Sequence, residues 1–414
     1  MRKLPNRWLI ACAGLLMQLC LGVLYAWTVF RLPLESLYGW PPSVSIAPYR
    51  YSLLCLPLAM IFGGEWQDRR GPRVVASVGG VLLSAGCLLA GLIGHSPWGL
   101  ILSYGVVAGT GVGFAYVTPI ATGLKWFPDR RGFITGLSVM GFGMGSLLFA
   151  PLVDTLIGES PARFAVTIPR TFFILAAVFA VVVLNAAQVL RNPPENWRPA
   201  GWNPPPDAAA NLAHNSSPRQ MLRTWQAYAL WLIFFLGCAI GQTMIGEAAP
   251  YLKAVAAEHG AALPVGFAVG LMAVCNGVGR LTLGAFSDRF GRRSAGVAIF
   301  ALAAAACFFL LRHATSSPQA LAGLCLVGFA FGGLLALMPA LTADYYGTAH
   351  VGINYGIIST AYGLCGFFVP RLFAQWMDAA RSSSNALAGY DSISFVLAVL
   401  ALAGISLVLT LRRP

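Results

Sequence analysis

One residue in this 414-residue chain stands out as chemistry in an unlikely place: an arginine inside an apolar run. Arg280 precedes Asp288 by eight positions, about 12 Å along a helix at ~1.5 Å per residue. That depth is close to the midplane of a ~30 Å apolar slab, where an arginine costs at least about 2.5–3.5 kcal/mol. Such a residue must face a wet cavity or find a counter-charge, and its own helix offers no acid within a turn. A guanidinium presents two N–H donors that match the two oxygens of a carboxylate. The expected partner is therefore an anion brought in from outside; the alternative is a structural tie to backbone carbonyls. Asn276 lies one turn earlier on the same face. Its amide suits a hydroxyl, carbonyl or carboxylate, or equally a bond between helices.

Other candidates surround this pair in type. Tyr116, between Gly109-Thr-Gly-Val-Gly113 and Pro119, offers a hydroxyl to a carboxylate. Phe331, Tyr355, Tyr362, Phe142 and Tyr25 are candidate walls of a small apolar cavity, each with ordinary helix packing as the competing reading. Glu247 is an acid placed well inside an apolar run. A neutral carboxyl desolvates at much lower cost than a carboxylate, so Glu247 is the candidate to carry a proton; the competing role is a hydrogen bond at a helix end near Pro250.

Other chemistries are excluded by pattern. The nine cysteines include no C-x-x-C pair and read as small buried apolar residues. No paired catalytic residues, metal-ligand spacing or G-x-x-x-x-G-K-[ST] loop occurs. The five histidines fall in loops or at the ends of runs. The expectation is a protein that is not an enzyme and has no cofactor and no metal.

The elements that must position these residues are read from composition. Hydrophobic types make up 57% and charged types 10%, against about 25% charged in a soluble domain, so the solvent is lipid. The net charge of +13 does not point to nucleic acid, because the cations sit mostly between apolar runs. About twelve runs can span a bilayer, at 8–33, 49–66, 74–94, 99–122, 133–153, 170–190, 225–251, 265–285, 294–312, 319–341, 351–373 and 391–411. The first is too long for a signal-peptide core and reads as a span. One long polar segment, with Asn192-Pro-Pro194 and Pro204-Pro-Pro206, divides the chain into an N-terminal bundle (1–190), a linker (191–224) and a C-terminal bundle (225–414).

Lys and Arg concentrate at the N-terminus, in the linker and in alternate loops, as in Arg69, Arg70 and Arg73; Lys125, Arg130 and Arg131; and Arg289, Arg292 and Arg293. Fewer fall between the other runs, among them Arg31, Arg50, Arg163, Arg170 and Lys253. This bias puts both termini and the linker in the cytoplasm; the expected location is the plasma membrane (the inner membrane, if bacterial). The halves also repeat. Gly64-Glu-Trp-Gln-Asp68-Arg69-Arg-Gly71-Pro-Arg73 returns as Gly284-Ala-Phe-Ser-Asp288-Arg289-Phe-Gly291-Arg-Arg293, 220 positions later. The same offset carries Pro119 onto Pro339, Gly132 onto Gly352, Gly136 onto Gly356 and Gly143 onto Gly363. In each copy the first glycine (Gly64, Gly284) permits close packing and the second (Gly71, Gly291) a sharp turn. Asp68 and Asp288, with Arg69 and Arg289, read as a breakable latch that pairs with arginines or caps a neighbouring helix.

These repeated loops, with twelve spans, resemble the major facilitator superfamily across essentially the whole chain. Within it, Lys125-Trp-Phe-Pro-Asp-Arg-Arg-Gly132, Gly136, Gly141-Phe-Gly-Met-Gly145, Tyr25-Ala-Trp27 and Asn354-Tyr-Gly-Ile-Ile-Ser-Thr-Ala-Tyr-Gly363 resemble the monocarboxylate transporter and oxalate/formate antiporter group. The resemblance implies an all-α membrane protein of two pseudo-symmetric six-helix bundles, working as a rocker-switch carrier with one central site, and it ranks Tyr116 and Tyr362 as facing that site. Animal monocarboxylate transporters carry an aspartate at the position of Asn276, which departs from their proton carrier. The oxalate/formate antiporter has a lysine in its eleventh span, where this chain reads Thr360-Ala361-Tyr362-Gly363 and has no Lys or Arg between Val351 and Pro370. One cation favours a monoanion, since a dianion would leave a charge unpaired in a dry site. The expectation is a carrier of small monocarboxylates (lactate, pyruvate or acetate) by proton symport, functional as a monomer in the lipid bilayer. The alternatives are an oxalate/formate-type anion exchanger and a transporter-like receptor.

Overall fold

A computed structural model describes residues 6–158, 160–194, 197–199, 201–202, 215–260, 264–382 and 386–412. Among these residues the chain is helical, and twelve helices are long and apolar enough to cross a membrane. They are α1 (Arg7–Tyr38), α2 (Pro42–Arg70), α3 (Pro72–Ile93), α4 (Pro97–Trp126), α5 (Arg131–Ile157), α6 (Pro161–Val189), α7 (Trp225–His259), α8 (Gly266–Phe290), α9 (Arg292–Leu311), α10 (Ser317–Tyr346), α11 (Val351–Phe373) and α12 (Leu387–Thr410). They form two pseudo-symmetric six-helix bundles, α1–α6 and α7–α12.

Several helices outrun the apolar stretches. Arg31, Arg50 and Arg170 lie within helices rather than between them, because a helix that leaves the hydrocarbon keeps its backbone bonds while its side chains find partners. Arg31 does so one turn along, in a 2.7 Å ion pair with Glu35. The first helix is also locally rewound. Gly22–Ala26 forms a 3-10 segment, and a Cβ on Gly22 would fall 2.2 Å from the Phe142 carbonyl oxygen of α5. That segment carries Tyr25.

Both repeated loops turn at glycine. Gly71 (φ 86°) and Gly291 (φ 90°) adopt the left-handed region, which a residue with a Cβ enters only at a cost. Each ends one helix and starts the next without a spacer, which brings α2 against α3 and α8 against α9.

The bundles meet along two pairings, α2 with α11 and α5 with α8. Backbones come into direct contact there. A Cβ on Gly64 would lie 2.2 Å from the Gly352 carbonyl carbon, and one on Gly132 would lie 2.2 Å from the Gly284 carbonyl oxygen. These residues correspond through the repeat, so both seams use the same glycines. The linker ends are held against the bundles: Trp126 donates from its indole to the Arg191 carbonyl at 2.6 Å, and the Ser216 N–H donates to the Tyr346 carbonyl at 2.9 Å.

Candidate functional site

The chemistry gathers between the bundles. A cavity of about 20 Å³ is lined by Tyr25, Leu56, Met60, Tyr116, Phe142, Phe234, Leu335, Tyr355, Ser359 and Tyr362. Helices α1, α2, α4 and α5 supply one wall and α7, α10 and α11 the other. The volume is room for about one water. Its walls are aromatic and its polar atoms are mainly hydroxyls. The Tyr25 and Tyr362 hydroxyls share a 2.6 Å hydrogen bond across the bundle boundary. The Phe142 ring is packed edge-on by Tyr25 and Tyr116, with centroids 5.1 Å and 5.0 Å away. Tyr355, Ser359 and Tyr362 recur at helical spacing and so present one face of α11.

Arg280 lies beside this cavity rather than among its lining residues. It is 2% exposed. Its Nε donates to Asn276 Oδ1 at 2.9 Å, and its Nη1 donates to the Val139 carbonyl of α5. Its charge reaches the hydroxyls of Tyr25, Tyr116 and Tyr355 electrostatically. Among the described residues, Arg131 and Arg280 are the buried cationic side chains. Arg131 has an acid partner, Asp344, at 2.7 Å; Arg280 has none within ion-pair distance among the described residues. Its partners are neutral oxygens.

The remaining candidates fall in different places. Both ends of the Asn276 amide are engaged on protein: its Nδ2 donates to the Gly328 carbonyl of α10 at 2.8 Å, and its Oδ1 holds Arg280. It positions the arginine and ties α8 to α10. Phe331 lines a separate cavity within the C-terminal bundle, beside Gly237, Ile240 and Gly241. There it packs on Gly241, where a Cβ would lie 2.2 Å from the ring. Glu247 accepts a 3.0 Å hydrogen bond from the Tyr390 hydroxyl of α12, so it is turned into its own bundle and does not line the central cavity.

The repeated acids reach across the bundle boundary. Asp288 accepts from the Gly132 N–H at 2.7 Å and the Phe133 N–H at 2.8 Å, two free donors in the first turn of α5. A carboxylate there also faces the positive end of the helix dipole. Asp68 does the same for α11, accepting from the Ile353 N–H at 3.1 Å. Arg69 and Arg289 take no part in these bonds. Arg69 is exposed and pairs with Glu65 at 2.5 Å, and Arg289 lies over the Phe290 ring at 5.4 Å. The partners are instead residues the sequence left as ordinary loop charges. Arg292 bonds Asp288 at 2.7 Å and Asp344 at 2.7 Å, and Arg131 bonds Asp344. Lys125 stands 3.6 Å from Asp68.

Sequence reasoning also missed Leu56, Met60, Phe234, Leu335 and Ser359. Two of these carried a signal. Met60 is the repeat counterpart of Arg280, 220 positions earlier, and Ser359 lies one turn from Tyr355 on the face that ends at Tyr362.

Comparison with known proteins bears on both fold and site. The sequence profile of the Major Facilitator Superfamily matches residues 7–370 and 239–414. The oxalate:formate antiporter of Oxalobacter formigenes is 28% identical over 88% of this chain and 84% of its own. The apicoplast pyruvate carrier 1 of Toxoplasma gondii is 29% identical over 73% of this chain and 64% of its own. Among solved structures, the human organic anion transporter MFSD10 superposes with a TM-score of 0.70 at 17% identity, covering 98% of this chain and all of its own; that is a likeness of fold.

Proposed function

Because the chain belongs to the Major Facilitator Superfamily, and so is an integral membrane transporter and not an enzyme, we propose that it carries small monocarboxylates of the lactate, pyruvate or acetate type across the membrane by alternating access. The observation that carries this reading is Arg280, a buried guanidinium without an acid partner among the described residues, beside a cavity walled by aromatic rings and tyrosine hydroxyls. A buried cation met only by neutral oxygens is costly, and an arriving carboxylate relieves that cost. The hydroxyls of Tyr25, Tyr116 and Tyr362 then serve as donors to its oxygens, and Phe142 and Tyr355 pack on its apolar part. Asn276 acts through Arg280 by fixing its orientation.

The charge of the substrate follows from the cation count. Position 362 holds a neutral tyrosine, so one positive charge faces one negative charge. The relatives include a carrier named for pyruvate and one named for oxalate and formate; the single cation favours the first kind of cargo. Exchange of anions of the second kind is the competing reading, and it draws on the antiporter's coverage of this chain.

A cavity that holds about one water must expand to admit an anion. The Asp68 and Asp288 contacts close the face that carries the basic loops, which the positive-inside rule assigns to the cytoplasm. Breaking both contacts would open the site to that side, with residues 191–224 serving as the connection between two rocking bundles. Glu247 is the proposed proton carrier for symport: neutral, it would let the α7–α12 region close without a buried charge.

The test is uptake of radiolabelled lactate by purified protein in liposomes. Arg280→Ala should abolish uptake while leaving folded protein. Arg280→Lys should recover little, because an ammonium lacks the forked donor geometry. Near-normal uptake by Arg280→Ala would remove the anion site from the account.

A further inference from the structure

Arg280 reaches across the boundary between the bundles. The Val139 carbonyl of α5 that accepts its Nη1 already closes a helical bond with the Gly143 N–H four residues on, so the arginine takes the second lone pair of that oxygen. Gly143 makes room for this. A Cβ there would lie 2.6 Å from Cζ and Nη1 of Arg280 and 2.9 Å from Nη2, so the guanidinium lies in a notch that only a missing side chain leaves. The counterpart notch is filled differently: a Cβ on Gly363 would meet the Pro57 ring of α2 at 2.3 Å.

We propose that Gly143 and the Val139 carbonyl form a resting seat for the Arg280 guanidinium, from which a substrate carboxylate must draw it, so that loading the carrier breaks a bond between α5 and α8. This rests on the reading of Arg280 as the anion site and adds what the empty site does. A carboxylate is a stronger acceptor for a guanidinium than a peptide carbonyl, so an anion in the cavity wins the competition. The α5–α8 pairing is then weaker in the loaded carrier than in the empty one. Gly143 and Val139 are positioning residues: the empty carrier is held back and the loaded one released, and substrate-for-substrate exchange outruns net movement.

The experiment is Gly143→Ala, read by equilibrium binding of radiolabelled lactate to the purified protein and by the ratio of exchange to net efflux in liposomes. The atoms a new Cβ would meet are the far end of a flexible side chain, so the guanidinium yields rather than the backbone. With the seat blocked, lactate should bind about tenfold tighter, the scale of one lost hydrogen bond to a charged group, and the ratio should fall toward one. Weaker binding with an unchanged ratio would overturn the seat. Arg280→Ala separates the two layers: wild-type binding by that variant would remove the anion site itself, and the seat with it. A second measurement needs no variant. In the wild-type protein, saturating lactate should speed backbone amide exchange across residues 136–145, and slower exchange there would contradict the proposal.

Discussion

The two seams between the bundles are built from the same repeated parts and differ in what they carry. In the α5–α8 seam, Gly136 packs against the Arg280 carbonyl; in the α2–α11 seam, Gly356 packs against the Met60 carbonyl. In the first, Asp288 caps α5 within a chain of charges that runs through Arg292 and Asp344 to Arg131. In the second, Asp68 caps α11 with Lys125 at 3.6 Å, and the counterparts of Arg131, Asp344 and Arg292 are Val351, Leu124 and Pro72. The backbone contacts and the caps therefore belong to the fold, which needs them twice. The ionic chain and the buried guanidinium belong to one seam only. Asymmetry of this kind is what the proposed anion site requires of a symmetric scaffold.

The largest expected effect tests whether that charge works only where it is. Arg280→Met should lower lactate kcat/KM by about 100-fold or more, the scale of a lost buried charge contact. Adding Met60→Arg, which moves the cation to the counterpart position, should not restore it, because Pro57 fills the notch beside Gly363. Rescue by the double variant would make the two seams equivalent.

A smaller difference is expected between the two caps. Asp288→Asn removes the charge that answers Arg292 and one of the two acceptor oxygens that cap α5, and should cost about 1–3 kcal/mol, read as a drop of several degrees in apparent melting temperature of the purified protein. Asp68→Asn should cost less, since its seam lacks the charge chain. Equal losses would show that the extra ion pairs contribute nothing net, their desolvation cost cancelling their attraction.

Tyr362→Lys would make the second seam ionic at the cavity itself. It should improve oxalate binding about tenfold, one favourable charge contact in a partly buried site, at the expense of the Tyr25 hydrogen bond. No gain for oxalate in a folded variant would break the link between cation count and substrate charge. The smallest effect on turnover is expected at Glu247, which lies off both seams. Glu247→Gln should leave lactate exchange within about twofold, the scale of a few tenths of a kcal/mol, while abolishing accumulation driven by a pH gradient. Wild-type accumulation by that variant would assign coupling elsewhere.

How much of this was legible in the sequence depends on whether a residue announces itself by being out of place. Arg280 does, because an arginine amid apolar neighbours has no bland explanation that costs nothing. The repeat does as well, since one offset relates several separate glycines, and it fixed the positions of Asp68 and Asp288. The partners of those acids were not legible. Arg131, Arg292 and Asp344 look like any charges near helix ends, and Asp344 is 213 positions from Arg131, so only the packed bundles bring them together. Arg69 and Arg289, which belong to the same motif, face away. Aromatic residues were legible as a class but not by direction: Tyr25, Tyr116, Phe142, Tyr355 and Tyr362 line the central cavity, while Phe331 faces another, against Gly237 and Gly241 of α7. Met60 and Leu56 carry no polar signal at all, and Asn276 shows that a polar side chain beside a site can be consumed by holding a neighbour in place.

The central claim is that one buried cation selects a singly charged carboxylate. The most direct measurement is uptake into liposomes of radiolabelled lactate with unlabelled acetate or oxalate as competitor, at equal concentration and neutral pH. The account predicts that lactate is taken up, that acetate competes with it, and that oxalate competes at least about tenfold less well, since its second charge would remain unpaired in the cavity. Oxalate competing as strongly as acetate, or being carried itself at a comparable rate, would contradict it.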